Sequence, residues 1–288
     1  MKTITSILVP TDFSQVATNA FRYALRLADV LDARIELLHV IPPTTANPTF
    51  DAFMDTLTAT LQAEAHDRMT DFFGQGVSPV EGLTQPPDVQ TFIRVGDLRH
   101  TIRQHVAEEG NQLIVMGTAG RDSGWDDFLG TNASYLINRA PCPVLVVPRN
   151  ASYRPLDAIC FATDLNDIGA FRAGGILRTF RPFHPRIEFL HIRGGEDDEE
   201  TDFNFGLLRD VFDRPGVSFQ TNYTDRVAED LVGAIFAFAF EQKCQLVVMY
   251  RPDRPWLHRL LSKSNTSAAV MRARLPLLIL TAEDGATD

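Results

Sequence analysis

The chain has 288 residues, 44% hydrophobic and 22% charged, which excludes a disordered polypeptide and leaves room for two ordinary domains. Lys and Arg number 11 against 17 Asp and Glu in residues 1–150, and the whole chain carries −10, so there is no broad basic face for nucleic acid. Cys142, Cys160 and Cys244 form no C-x2-C pair, no apolar run approaches the roughly 18 residues of a membrane span, and no signal-peptide core precedes Ile7. A cytoplasmic protein without a membrane or nucleic-acid partner is the expectation.

Residues 7–10 form a short apolar run that predicts a strand. Residues 15–32 place Val16, Ala20, Tyr23, Ala24, Leu27, Ala28 and Leu31 at helical spacing, with Ser14 as N-cap. Residues 34–40 predict a second strand, stopped by Pro42-Pro43. Residues 51–73 predict a long helix ended by Gly74 and Gly76, and residues 89–95 a third strand. A helix over 97–109 is closed by Gly110. Residues 113–116 predict the fourth strand, 130–139 the fourth helix and 144–147 the fifth strand. Residues 149–155 read as a polar linker. Short apolar strands without alternation, separated by helices, imply a parallel sheet covered on both faces.

The plan then repeats. Thr11-Asp12 recurs as Thr163-Asp164, and Arg34-Ile35-Glu36 as Arg186-Ile187-Glu188, both at an offset of 152. From Asp97-Leu98 to Asp230-Leu231, and from Pro143 to Pro276, the offset is 133. The second copy therefore lacks 19 residues between its second and third strands. The expected fold class is α/β: two tandem Rossmann-like domains, residues 1–149 and 155–282. Each is a five-stranded parallel sheet flanked by helices.

In open α/β sheets ligands lie at the carboxyl ends of strands, where the strand order reverses. Pro10-Thr11-Asp12, His39-Val40 and Met116-Gly117 all fall at such ends in the first half. Gly117, Gly120, Gly130 and Thr131 have the spacing G-x2-G-x9-G-T after a buried strand. Gly117 and Gly120 are expected to supply positive φ and close approach to a ligand. Gly130-Thr131 opens a helix whose free N–H groups attract anions, with Arg121 adding charge and the Thr131 hydroxyl serving a phosphate oxygen or a metal. Asp12 is placed to accept from a ribose hydroxyl or an adenine amine, and Val40 to offer backbone contacts to a base. Asp12-Phe13-Ser14 reads equally well as a helix cap. His39 and His191 read as core or turn histidines, because no second ligand stands at metal spacing. The acidic run 196–200 reads as a solvated loop, and the Phe-rich run 235–240 as a buried helix face.

These residues together resemble the universal stress protein family. The chain is similar to its tandem members in Ile7-Leu8-Val9-Pro10-Thr11-Asp12, Leu38-His39-Val40, Leu113-Ile114-Val115-Met116-Gly117, the glycine spacing and Pro143-Val144-Leu145-Val146-Val147. The resemblance implies ATP, with Mg2+ through Thr131, held by Asp12, Val40, Gly117, Gly120, Gly130 and Thr131, with Asn132 and Ala133 as amide donors. It also implies pairing through the last strand, so that the two halves form a pseudo-dimer, with a homodimer as a further arrangement. In the second half the three glycine positions become Tyr250, Asp253 and Lys263. A carboxylate about 5 Å from a phosphate charge costs roughly 3 kcal/mol at an effective dielectric near 20, so one nucleotide per chain is expected. No paired general acid and base accompanies the glycine motif. The leading expectation is a non-enzymatic, ATP-binding stress regulator or interaction module. A slow ATPase using Asp12 or Asp122, and a nucleotide-independent interaction protein, are the alternatives.

Overall fold

A computed structural model describes residues 4–43, 51–118, 131–163, 180–193, 205–206, 208–210, 212, 219–250 and 274–280, with only the backbone of 51–55, 131 and 250. The first half contributes β1 (Ser6–Pro10), α1 (Gln15–Leu31), β2 (Arg34–Ile41), α2 (Asp51–Val77), β3 (Val89–Val95), α3 (Leu98–Glu109), β4 (Leu113–Gly117), α4 (Thr131–Arg139) and β5 (Val144–Val147). The second contributes β6 (Ala158–Ala162), β7 (Arg186–Arg193), β8 (Gln220–Val227), α5 (Leu231–Glu241), β9 (Leu246–Tyr250) and β10 (Leu277–Leu280).

Local chemistry sets several boundaries. The Ser14 side chain accepts from the Ala17 N–H and starts α1, and Asp32 closes it at φ 53° with its N–H on the Ala28 carbonyl. Asp97 and Asp230 cap α3 and α5 in the same way, accepting from His100 and Gly233. Gly110 ends α3 at φ 70°. One helix end differs from the expectation. Gly74 and Gly76 do not stop α2, which runs on to Val77. A Cβ on Gly76 would lie 2.2 Å from Phe21 Cδ1, so this glycine lets α2 lie against α1.

The ten described strands form one mixed sheet in the order β3-β2-β1-β4-β5-β10-β9-β6-β7-β8. Pairing is parallel from β3 to β5 and again from β10 to β8. It reverses at the seam, where β5 and β10 pair antiparallel through Val146 and Leu277, Leu145 and Leu278, and Val144 and Ile279. Two apolar layers cover the sheet, and each draws residues from both halves. One holds α1 and Met69 and Phe72 of α2, together with Phe189, Phe205 and Phe212. The other holds α3, α4 and α5. The described core is therefore continuous across the seam. Burial of side chains such as Phe21, Phe161 and Phe236 contributes roughly 1.5–3 kcal/mol each. The segment read as a polar linker is docked: Asn19 Nδ2 donates to the carbonyls of Pro148 at 3.0 Å and Ala151 at 2.9 Å.

Strand register refines the repeat. Ile41 pairs with Val95 and Arg193 with Val227, so β3 and β8 correspond at an offset of 132. Asp97 and Asp230, the caps that follow, differ by 133. The second half is thus shorter by 20 residues before β8 and longer by one between β8 and α5.

At the amino ends of the strands lies a buried polar cluster that the repeat Arg34-Ile35-Glu36 marks without explaining. Glu36 is fully buried and takes hydrogen bonds from Ser6 Oγ (3.2 Å), Arg34 Nε (2.9 Å), His105 Nε2 (2.9 Å) and Asn111 Nδ2 (2.9 Å). Burial alone would push its carboxyl up. The hydrogen bonds from His105, Asn111 and Arg34 and the His105 charge overcome that and bring it down to about 2. Its counterpart Glu188 is also buried, paired with Arg186 and bonded by Asn222.

Candidate functional site

The opposite ends of β1, β2 and β4 carry the candidate site. Strand order places β1 between β2 and β4, with the β1-to-β2 connection through α1 on one face and the β3-to-β4 connection through α3 on the other. The crevice between β1 and β4 is therefore the topological switch point.

Thr11 is buried and anchors the end of β1. Its N–H donates to the Leu38 carbonyl at 2.9 Å, its hydroxyl accepts from Phe13 N–H at 2.9 Å, and its carbonyl accepts from His39 Nδ1 at 2.8 Å. His39 therefore carries its proton on Nδ1 and offers Nε2 as an acceptor. Burial holds its pKa below the usual histidine value. The bond to Thr11 opposes this, as does the Asp12 charge, and the Arg68 charge reinforces it. His191 bonds the Thr163 carbonyl at 3.0 Å in the same way. Both histidines thus fasten a strand end, as turn histidines should.

Asp12 is exposed, and its Oδ1 accepts from Ser14 N–H at 3.0 Å. The cap of α1 is Ser14, so Asp12 is the turn residue before it. Pro10 ends β1 opposite Leu38. Val40 is buried, and its side chain belongs to the core. Odd-numbered residues of β2 bond toward β3, as Ile35 N–H to the Asp88 carbonyl and Gly96 N–H to the Ile41 carbonyl show. The Leu38 carbonyl bonds toward β1. Val40, two residues on, points its N–H and C=O to the same side, past the place where β1 has turned away.

Met116 is buried, and Gly117 ends β4 in register with Val147. The expectation of positive φ at Gly117 is corrected: among the described glycines only Gly82 and Gly110 have it. Gly117 is needed for another reason. A Cβ there would lie 2.6 Å from Val16 Cγ1 and 3.2 Å from the Val16 carbonyl carbon and oxygen. The start of α1 closes on this strand end. Gly120, Arg121 and Gly130 lie outside the described residues. Thr131 opens α4, Asn132 is exposed, and Ala133 is buried in the core, so its amide is what it can offer a ligand. The first amides of a helix have no intrahelical acceptor and favour anions.

Two features escaped the sequence reading. Arg68 of α2 lies over the Phe13 ring, its Cζ 4.4 Å from the centroid, and Phe13 follows Asp12 in the chain. In the second half, Arg193 and Asp225 form an ion pair at the end of β7 and β8, where the first half has Ile41 and Ile93. Periodicity reports local faces, and both features join distant segments. Tyr250 ends β9, while Asp164, Asp253, Lys263 and the acidic run 196–200 lie outside the described residues. Ile235, Phe236, Phe238 and Ala239 are buried, and Phe240 is exposed. Among the described residues no group of three or more His, Cys, Asp or Glu could hold a metal, and no helix is long and apolar enough to cross a membrane.

A family model described as the universal stress protein family matches residues 3–148. Universal stress protein G of Salmonella typhimurium is 30% identical over 146 residues, covering 49% of this chain and 97% of its own. A universal stress protein of Mycolicibacterium smegmatis is 30% identical over 141 residues, 49% of this chain, and the match spans 47% of that relative's length. The crystal structure of a universal stress protein from Archaeoglobus fulgidus superposes with a TM-score of 0.66 over 98% of this chain and 99% of that one. At 14% identity it shows a shared fold.

Proposed function

The chain belongs to the universal stress protein family, and from that premise we propose that it binds one ATP, in its first half, and works as a non-enzymatic regulator or interaction module. One observation supports this most: the exposed Asp12 after β1, Val40 near the end of β2 and the start of α4 beyond β4 all belong to the carboxyl end of the sheet, around the β1/β4 switch point. Such a set fits an adenine nucleotide. A carboxylate accepts from a ribose hydroxyl or the amine, a strand-end backbone meets the base edge, and a helix start takes phosphate. Gly120, Arg121, Gly130 and Thr131 complete the phosphate end in this reading, with Thr131 also serving a nucleotide-bound Mg2+.

Residues 1–149 and 155–282 are read as two domains of one kind, paired through β5 and β10 as a pseudo-dimer. The second has lost ATP binding because Tyr250, Asp253 and Lys263 stand in place of the glycines. Calorimetric titration of the full chain with ATP, beside mass analysis of ligand extracted from the purified protein, tests the proposal. Binding near one equivalent per chain supports it, and no binding at millimolar ATP by folded protein refutes it.

A further inference from the structure

Phe13 adopts φ 63°, a left-handed conformation that is strained for a non-glycine residue. Helix capping at Ser14 does not require an aromatic there. The turn does place the ring. Its centroid lies 4.3 Å from that of His39 and 5.8 Å from that of Phe72, and the Arg68 guanidinium sits over it. Arg68 is itself exposed, and among the described residues it pairs with no carboxylate. Asp12 stands on the same turn as Phe13, and the charges of both Asp12 and Arg68 reach His39. A cation and an anion therefore both stand near the His39 ring, and among the described residues they form no ion pair with each other.

Topology decides which end of a ligand this is. Met69 and Phe72 place α2 on one face of the sheet, while Ala133, Leu136 and Ile137 place α4 on the other. A nucleotide whose phosphates lie at the start of α4 extends across the β1 end toward β2, and so brings its base to Val40, Asp12 and Arg68. A guanidinium plane stacks on a base and also donates to ring nitrogens, and a ring beneath it fixes its orientation.

We infer that Arg68, carried on the Phe13 ring, is a base-contacting residue of the nucleotide site. This rests on the proposed nucleotide binding. The test is calorimetric titration of the full chain with adenosine, AMP and ATP, for the native protein and Arg68→Ala, Arg68→Lys and Phe13→Leu. Circular dichroism confirms that each variant is folded. Arg68→Ala should weaken all three ligands by the same factor, about tenfold. Arg68→Lys should recover little, because it keeps the charge and loses the plane. Phe13→Leu should match Arg68→Ala, and the double variant should lose no more than either. A loss that grows with the number of phosphates overturns the base assignment, and so does unchanged affinity. Failure of the native protein to bind any of the three overturns the nucleotide reading, and this inference with it.

Discussion

Gly117→Ala separates two reasons for a glycine at the end of β4. If the glycine serves only a ligand, alanine weakens ATP and leaves the unliganded protein unchanged. The structure argues otherwise. The added Cβ would meet Val16 Cγ1 at 2.6 Å and the Val16 carbonyl carbon and oxygen at 3.2 Å. The side-chain contact must be relieved by a rotamer change or a shift of α1. The backbone contact yields only if the helix start moves. Val16 is buried, so there is little room for either. Overpacking of this kind costs about 1–3 kcal/mol, so about 2 kcal/mol is expected for Gly117→Ala. Val16→Ala removes Cγ1 and leaves the backbone approach in place. The double variant should then be about 1 kcal/mol more stable than the sum of the single effects. Urea unfolding without nucleotide measures this as a lower midpoint at an unchanged slope. A Gly117→Ala protein as stable as the native one, with effects that add in the double variant, would refute the packing argument.

Gly120→Asp, which copies the second half at the position of Asp253, should abolish ATP binding by calorimetry and leave the urea midpoint within experimental error; normal binding would show that the glycine spacing does not hold phosphate. Glu36 yields a pH signature. Its folded pKa of about 2 lies below the ordinary glutamate value of about 4.5, so its stabilisation is full above about 4.5 and is lost as pH falls toward 2. That amounts to roughly 3 kcal/mol over the window. Glu36→Gln should flatten the acid dependence there and, at neutral pH, cost about 3 kcal/mol, the stabilisation that the native carboxylate supplies. An acid unfolding curve with the native slope would count against it. Gly76→Ala should lower stability by about 1–3 kcal/mol, because the new Cβ would enter the Phe21 ring at 2.2 Å, whereas Gly74→Ala, with nothing within 4 Å, should be neutral or stabilising by urea unfolding.

The elements set by short-range chemistry were legible in the residues themselves. Ser14 and Gly110 mark helix ends because a side-chain acceptor or a left-handed residue acts within four positions of itself. The apolar runs of β1, β4 and β5 and the repeat of Thr11-Asp12 at Thr163-Asp164 needed no partner to be seen. Of the candidate site, the strand-end positions were legible: Pro10, Asp12, Val40 and Met116 fall where the alternation of strand and helix puts them. What lay beyond reach depends on which distant surfaces meet. Gly76 reads as a helix stop until Phe21 is found against it, and the packing need for Gly117 is hidden until Val16 is. The buried Glu36 draws its stabilisation from Ser6, His105 and Asn111, and Arg68 reaches Phe13 across 55 positions. The antiparallel seam of β5 and β10 makes two similar halves into one sheet with shared layers. A local pattern records the face a residue presents. The contact made by that face is a property of the folded chain, because only close packing brings the second surface to it.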